Sequence, residues 1–435
     1  MLDKMYLIND DFVIKFISPT CIGGDKNDDL LPMFDYIKHD GNIYEINKAI
    51  FYEELSKNKS ISDLQKLCTT LVKNIFESEA SYEKWYDTII NENMINKESL
   101  LKEIALGENK ISGSMLIIKN ICGTNKAPFV PGSTLKGAII SALIYEYFKN
   151  DDNGKIQFSN KLNDIRNLIK DYDINDINNE KNRKIRKNLF DKTISFNKEI
   201  LSFESKLFSF KITSDVKKPN KKNNKSQAVE YYKYHYNANL IRIYDSDLIK
   251  PENIKLYEQG RFYFKKIENK ETIPLACFAI EPTNDEIAFK LQILNEFVKN
   301  KNSKIFSEFE NNPCDTLIKL LNDWSLSCIN SDIAFCEKAK DLKAEWLDAY
   351  IEKLQKIKKT IEESSNEAII RIGNGKGWLY TTLAPLIYEN DPELYKKFCT
   401  IIFKTNEEIT PLTRVLTHTS HDMMGWISIK KKIKI

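Results

Sequence analysis

The chain has 435 residues, and its 65 Lys plus Arg against 62 Asp plus Glu leave a net charge of +3. At about 150 residues per domain this length predicts two to three domains, and the near-neutral balance excludes a wholesale basic coat, so any nucleic-acid site must be a local patch. A hydrophobic share of 42% and a charged share of 29% suit a globular chain with a real core, while 14 glycines and 12 prolines exclude collagen-like and Gly/Pro-rich disordered classes.

No stretch approaches the roughly 18 uninterrupted apolar residues of a membrane span, so no membrane partner is expected. Met1 to Phe16 carries Asp3, Asp10 and Asp11 among its apolar residues, which is no secretory signal. The eight cysteines stand at 21, 68, 122, 277, 314, 328, 336 and 399 without a CxxC pair. Free thiols in a reducing cytoplasm are therefore expected, and neither a zinc site nor a disulfide framework.

Along the chain, Phe12 to Ile17 reads as a strand, broken by Ser18-Pro19 and Gly23-Gly24. Ser60 to about Leu106 has a helical pattern, with Leu64, Leu67, Leu71, Ile75 and Trp85 among polar residues. Ile111 to Ile118 is β-branched enough for a strand. Pro131-Gly132-Ser133 punctuates the chain before a helix ending near Phe148, and residues 150–192 read as helix and exposed loop. Phe203 to Ile212 has strand character, Lys217 to Lys225 is a solvated loop, and Tyr231 to Tyr244 reads as a strand pair or hairpin arm. Leu256 to Phe264 and Leu275 to Ile280 read as strands, and Ile287 to Leu294 as strand or helix. A helical block is expected from about Glu296 to Glu363. Ala368 to Ile372 returns to strand, then come a Gly-rich loop, a helix through Tyr388 and a terminal strand, Trp426 to Ile435. Strands in both halves interrupted by helices predict an α+β fold. The halves share a layout of strand, Gly-containing loop and helix, and we divide them as residues 1–245 and 246–435.

Two stretches carry chemistry. In Pro131-Gly132-Ser133-Thr134-Leu135-Lys136-Gly137, Ser133 is a natural N-cap, and Leu135, Ala138, Ile139, Ala142 and Leu143 follow at helical spacing. Lys136 then lies in the first turn, where a cation opposes the helix dipole. An anion held by free backbone N–H groups and Lys136 would compensate, with Gly137 admitting another backbone; an ordinary capped helix with a snorkelling lysine serves equally. In Arg371-Ile372-Gly373-Asn374-Gly375-Lys376-Gly377-Trp378, three of the fourteen glycines fall within five residues. The spacing is GxGxG and no ribose-binding acid follows, so a nucleotide-cofactor fold is not indicated and no cofactor is expected. A backbone loop flanked by Arg371 and Lys376 suits a polyphosphate chain or a neighbouring backbone; a tight turn with a core tryptophan is the alternative. His418 and His421 lack a third ligand for a metal site, and no GxSxG or Cys/His signature supports nucleophilic catalysis.

Taken in order, Ser18-Pro19-Thr20-Cys21-Ile22-Gly23-Gly24, then Phe129 to Ile139 with its PGSTLKG core, then Arg371 to Leu379 resemble the signatures of RAMP proteins of CRISPR–Cas systems. Tyr244-Asp245-Ser246-Asp247, Ala279-Ile280-Glu281-Pro282, Pro411-Leu412-Thr413-Arg414 and Met424-Gly425-Trp426-Ile427 are similar to one branch, the fifth Csm subunit of type III-A effector complexes. Two positions depart from the pattern: Cys21, where histidine is frequent, and Met424, where a Pro-Leu pair is common. The resemblance implies RRM-like (ferredoxin-like) domains with helical insertions. It also implies a subunit without an active site that caps the backbone of other Csm/RAMP subunits near the 3′ end of the CRISPR guide RNA, and supports 3′-end maturation through recruited cellular nucleases. The implied RNA-binding residues are Gly23, Gly24, Gly132, Ser133, Thr134, Lys136, Gly137, Arg371, Gly373, Gly375, Lys376, Gly377 and Arg414. Backbone loops of this kind suit a complex in which protein holds the guide and base pairing reads sequence.

Two other readings stand beside it. A Cas6-like endoribonuclease would use His39 or His235 as base, with Arg183-Lys184-Ile185-Arg186-Lys187 as an RNA clamp where a solvated helix face is the simpler view. A repeating backbone subunit would place a target-cleaving aspartate near Asp25 or Asp28.

Overall fold

A computed structural model describes residues 6–24, 29–31, 35–39, 42–50, 53, 62, 69, 101–107, 116–122, 127–173, 179–189, 191, 209–214, 231–236, 241–264, 275–295, 304–403 and 411–432. In chain order the strands are β1 (Tyr6–Phe16), β2 (Tyr36–His39), β3 (Asn42–Ile46), β4 (Leu101–Ile104) and β5 (Ile117–Ile118). Helices α1 (Gly132–Asn150) and α2 (Asp152–Ile169) follow, then β6 (Ser209–Ser214), β7 (Tyr231–Tyr236), β8 (Ile241–Ile243), β9 (Ile254–Tyr263), β10 (Leu275–Ile280) and β11 (Ile287–Leu294). The rest comprises α3 (Lys304–Asn311), α4 (Pro313–Lys338), α5 (Leu347–Glu363), β12 (Glu367–Arg371), α6 (Ala384–Asn390), α7 (Pro392–Phe403), β13 (Thr413–Thr417) and β14 (Trp426–Lys431).

Strand β1 shows why the main sheet forms. Ile8, Phe12, Ile14 and Phe16 are buried on one face while Asn9, Asp11 and Lys15 are exposed on the other, the two-residue alternation of a half-buried strand. It pairs antiparallel with β11 (Phe12 opposite Phe289) and with β14 (Phe16 opposite Ile427). The sheet order is β12-β14-β1-β11-β8. With α1 between β1 and β8 and α4 between β11 and β14, this is the split β-α-β arrangement of the ferredoxin-like fold, with β12 added at one edge. The α+β expectation therefore holds.

A second sheet has the order β13-β9-β10-β5, and β2-β3-β4 and β6-β7 make two smaller ones. Both larger sheets take strands from either side of residue 245, so each is assembled from segments distant in the chain.

Several local expectations change. Residues 101–104, placed at the end of a helical block, are a strand paired with β3 (Leu101 opposite Ile46, Ile104 opposite Ile43); most of the remainder of that block lies outside the described residues, as do 217–225. The block from Glu296 breaks at Pro313, whose missing N–H suits a helix start, and again at Lys343, which adopts a left-handed φ of 53°. Ile287–Leu294 is strand. Helices α1 and α4 pack on each other and α4 on α5 and β12, giving one large apolar cluster. Among the described residues no helix is long and apolar enough to cross a membrane.

Candidate functional site

Register places the singled-out loops together. β1 ends at Phe16 opposite Ile427, β12 ends at Arg371 opposite Trp426, and β8 ends at Ile243 beside the start of α1. The segment after β1, the Gly-rich loop, the turn before β14 and the N-terminus of α1 therefore share one end of the main sheet.

Three of them are stitched by backbone. Asn374 N–H donates to the Cys21 carbonyl at 2.7 Å, Gly425 N–H to Pro19 at 2.9 Å and Ile372 N–H to Gly425 at 2.7 Å. Gly373 has a φ of +72°, and a Cβ there would stand 2.2 Å from the Cys21 oxygen, so only glycine fits both the left-handed backbone and the close approach. Gly375 shares the left-handed geometry and faces inward, its Cβ position 3.3 Å from Val415 Cγ1. Gly377 faces nothing within 4 Å. All three glycines take the positive φ that their clustering suggests, but their surroundings differ: Gly373 and Gly375 fit the loop onto the protein, and Gly377 is the exposed one.

Arg371 is only 7% exposed. Its Nε donates to the Met424 carbonyl at 2.8 Å and Nη2 to that of Gly375 at 3.3 Å, and its guanidinium lies over the rings of Tyr380 (4.8 Å) and Trp426 (5.8 Å). Lys376 is half-buried beside it. Burial, reinforced by the Arg371 charge, holds its ammonium below the ordinary lysine range. Among the described residues no carboxylate pairs with either cation. Two neighbouring cations, one of them bearing only carbonyl and aromatic partners, favour an anion from outside. Trp378 closes the loop against Tyr395 and Phe403.

At the start of α1 the anion is the chain's own. Asp245 Oδ1 accepts from Gly132 N–H at 2.8 Å, and Thr134 N–H goes to the Pro131 carbonyl. Pro131 holds the N-cap position, correcting the assignment of Ser133. A Cβ on Gly132 would come 2.1 Å from the Ile243 oxygen, so this glycine seats the helix on β8. Ser133 and Gly137 are exposed, Thr134 and Lys136 half-buried, and Gly137 faces open space instead of a neighbouring backbone. Gly23 and Gly24 run beside Asn120 and Lys119, where Gly24 N–H donates to the Lys119 carbonyl at 3.2 Å.

Arg414 is the clearest correction. It is 6% exposed, and its Nε donates to Asp332 Oδ1 at 2.7 Å. A second guanidinium nitrogen lies 2.6 Å from the same oxygen without hydrogen-bond alignment. Asp332, fully buried, also accepts from Tyr350 (2.7 Å) and Tyr380 (3.1 Å). Burial opposes the Arg414 charge most strongly, but Asp332 together with Cys336 and Tyr350 outweighs it and the pKa is raised. This arginine ties β13 to α4 and offers no group to a ligand. The signal missed in the sequence is Asp332, the carboxylate of the helix's buried face, where the other polar residues are Asn322, Ser325, Ser327 and Ser331.

The residues of the other readings give no constellation. Asp25 and Asp28 lie outside the described residues, as do the side chains of His39 and His235. Lys184 pairs with Glu180 and Arg186 donates to Tyr172, while Ile185 and Leu189 are buried; this is an amphipathic helix face. His418 and His421 lie against the Phe262 ring. Among the described residues no three His, Cys, Asp or Glu cluster as a metal site.

No curated protein matches the sequence. Several solved structures are similar to this chain. One is a chain of a Csm–crRNA–target RNA ternary complex of a type III-A CRISPR–Cas system, 18% identical with a TM-score of 0.56, covering 97% of this chain and 100% of that one. Another is Csm5 of T. onnurineus, 16% identical with a TM-score of 0.51, covering 95% and 99%. At such identities they show the shared fold. The sequence model of the RAMP superfamily matches residues 13–380, which takes in the post-β1 segment, α1 and the Gly-rich loop, and the chain belongs to that superfamily.

Proposed function

We propose that this protein is a non-catalytic RNA-binding subunit of a type III-A CRISPR effector complex. In this reading it caps the row of backbone subunits near the guide RNA 3′ end and supports maturation of that end by recruited cellular nucleases. The observation that carries it is the Arg371–Lys376 pair, left without a carboxylate on a loop whose exposed glycine, Gly377, leaves room for a polynucleotide backbone. Gly23, Gly24 and the outer residues of α1's first two turns, Ser133, Thr134, Lys136 and Gly137, border the same sheet end and complete the surface. Such contacts position an RNA without reading its sequence.

The test is to copurify the chain with the products of the genes beside its own and to sequence the bound RNA. The expected result is guide RNA whose 3′ region loses protection when this chain is omitted. Guide RNA of unchanged length and protection without it would overturn the capping role. Cleavage of repeat RNA by the purified chain, lost on a His→Ala change, would favour the endoribonuclease reading instead.

A further inference from the structure

Strand β9 carries groups that the sequence signatures pass over. Gln259, Arg261 and Tyr263 alternate onto one face of the second sheet, because residues two apart in a strand share a face. Across the ladder Arg261 stands opposite Val415 and Tyr263 opposite Thr413, and directly opposed side chains are in reach of one another. The Gly-rich loop lies on this face, with the Gly375 Cβ position 3.3 Å from Val415 Cγ1. Arg261 and the Lys376 loop thus flank one valine side chain.

Both faces of β9 are buried toward its start. Tyr257 and Gln259 precede Arg261 on its own face, and Tyr257 packs with Cys277 and Met424, so only the Arg261–Tyr263 end of that face opens outward. On the other face Phe262 meets the Trp346 ring, and Leu256 is fully buried in a small core with Ala276 and Ile117. At the end of the Arg261 face Arg261 is exposed and Tyr263 half-buried. Among the described residues Arg261 has no carboxylate partner and the Tyr263 ring no aromatic one. A solvated sheet face would account for Arg261 alone. A cation and a half-buried ring two positions apart, bordering two further uncompensated cations, form the combination that holds single strands: charge for the backbone, a ring for the base.

We infer that Arg261 and Tyr263 extend the Gly-rich loop into a nucleotide subsite for single-stranded RNA. Arg261 neutralises the phosphate next to the one at Lys376, and Tyr263 stacks the adjoining base. This rests on the RNA reading of the loop, and Lys376 serves as the separate control. The measurement is fluorescence anisotropy with the full chain, using a short labelled oligouridylate and a backbone of the same length lacking bases, over a range of salt.

Arg261→Ala and Arg261→Gln are expected to weaken both probes and to lower the slope of log affinity against log salt by about one. Tyr263→Leu should lose roughly 5- to 100-fold on the oligouridylate and nothing on the baseless probe, with Tyr263→Phe close to wild type. Equal losses on both probes would overturn the stacking role. If Lys376→Ala weakens binding while the Arg261 and Tyr263 variants, folded by circular dichroism, bind as wild type, the subsite fails and the loop reading stands. If Lys376→Ala is silent as well, or the wild-type chain ignores the probe at low salt, both fail.

Discussion

Arg371 and Arg414 approach the same interior from the ends of two strands, and Tyr380 touches both systems: its ring receives the Arg371 guanidinium and its hydroxyl donates to the Asp332 carboxylate that neutralises Arg414. Both arginines are more than nine-tenths buried. Arg414 has a carboxylate and two carbonyls, those of Pro411 and Thr413, so its charge is balanced within the protein. Arg371 has carbonyls and ring faces, and its charge acts on the neighbouring Lys376. A cation over a ring face gains about 0.5–2 kcal/mol, less than a full counter-ion supplies. Similar residues with similar burial therefore differ in charge balance, Arg414 neutralised inside the core and Arg371 left without a counter-ion beside the Gly-rich loop.

The largest expected effect breaks the closed member of the pair. Asp332→Ala leaves Arg414 charged and unpaired in the interior and should cost about 3–5 kcal/mol of stability, measured by urea unfolding. Replacing Asp332 and Arg414 together with apolar residues of similar volume should recover most of it. A loss below about 1 kcal/mol for Asp332→Ala, the range of an exposed pair, would abolish the contrast.

Next is the seat of the open member. Gly373→Ala forces a side chain into the Cys21 carbonyl and should cost at least about 1–3 kcal/mol, whereas Gly377→Ala, with nothing within 4 Å, should show only left-handed strain of about 1–2 kcal/mol. Thermal melts of the two variants compare them directly, and equal losses would mean that Gly373 is not the seat of the loop.

Lys376→Ala should leave stability unchanged or slightly raised, since it removes a cation from beside Arg371. It should also reduce RNA affinity, with a salt slope smaller by about one. Gains in both stability and affinity would show that the loop is no anion site.

The smallest effect is in pH. Because the folded Lys376 pKa is lowered, the unfolded chain holds more protons between that value and the ordinary lysine value of about 10.4. The sign follows: stability of the free protein rises with pH across this window, while RNA affinity, which needs the charge, falls. Lys376→Arg should flatten the affinity profile below about pH 10. An unchanged profile would assign the titration to another group.

Local patterns were legible and distant pairings were not. The helix after Pro131 could be read because Leu135, Ile139, Ala142 and Leu143 repeat at helical spacing, and the Gly-rich loop because three clustered glycines need left-handed backbone. Arg414 was assigned to the ligand because its neutraliser, Asp332, lies 82 residues away and no spacing rule joins them. The anion at α1 was sought outside for the same reason, since Asp245 is 113 residues from Gly132. Arg261 and Tyr263 sit in a strand that alternation identifies, but its two faces cannot be told apart until β13 and the loop are in place. Strands β2, β3, β4 and β13 are short and define themselves only by their partners.

The position of β14 has a consequence for how the molecule comes into being. It lies inside the main sheet, between β12 and β1, so the strand made first waits for residues 426–431 before that flank is filled. Until then β1 and β12 present open edges, with Phe16 and Ile370 uncovered by Ile427. During synthesis on the ribosome the chain therefore carries the open β1 edge until residues 426–431 are made, joined by that of β12 once residues 367–371 are made, the condition that favours aggregation of slow, non-local β topologies. Completion of the sheet and assembly of the loop around Arg371 coincide, because Gly425 and Trp426 belong to both, so the Arg371 partners are in place only once β14 has gone in.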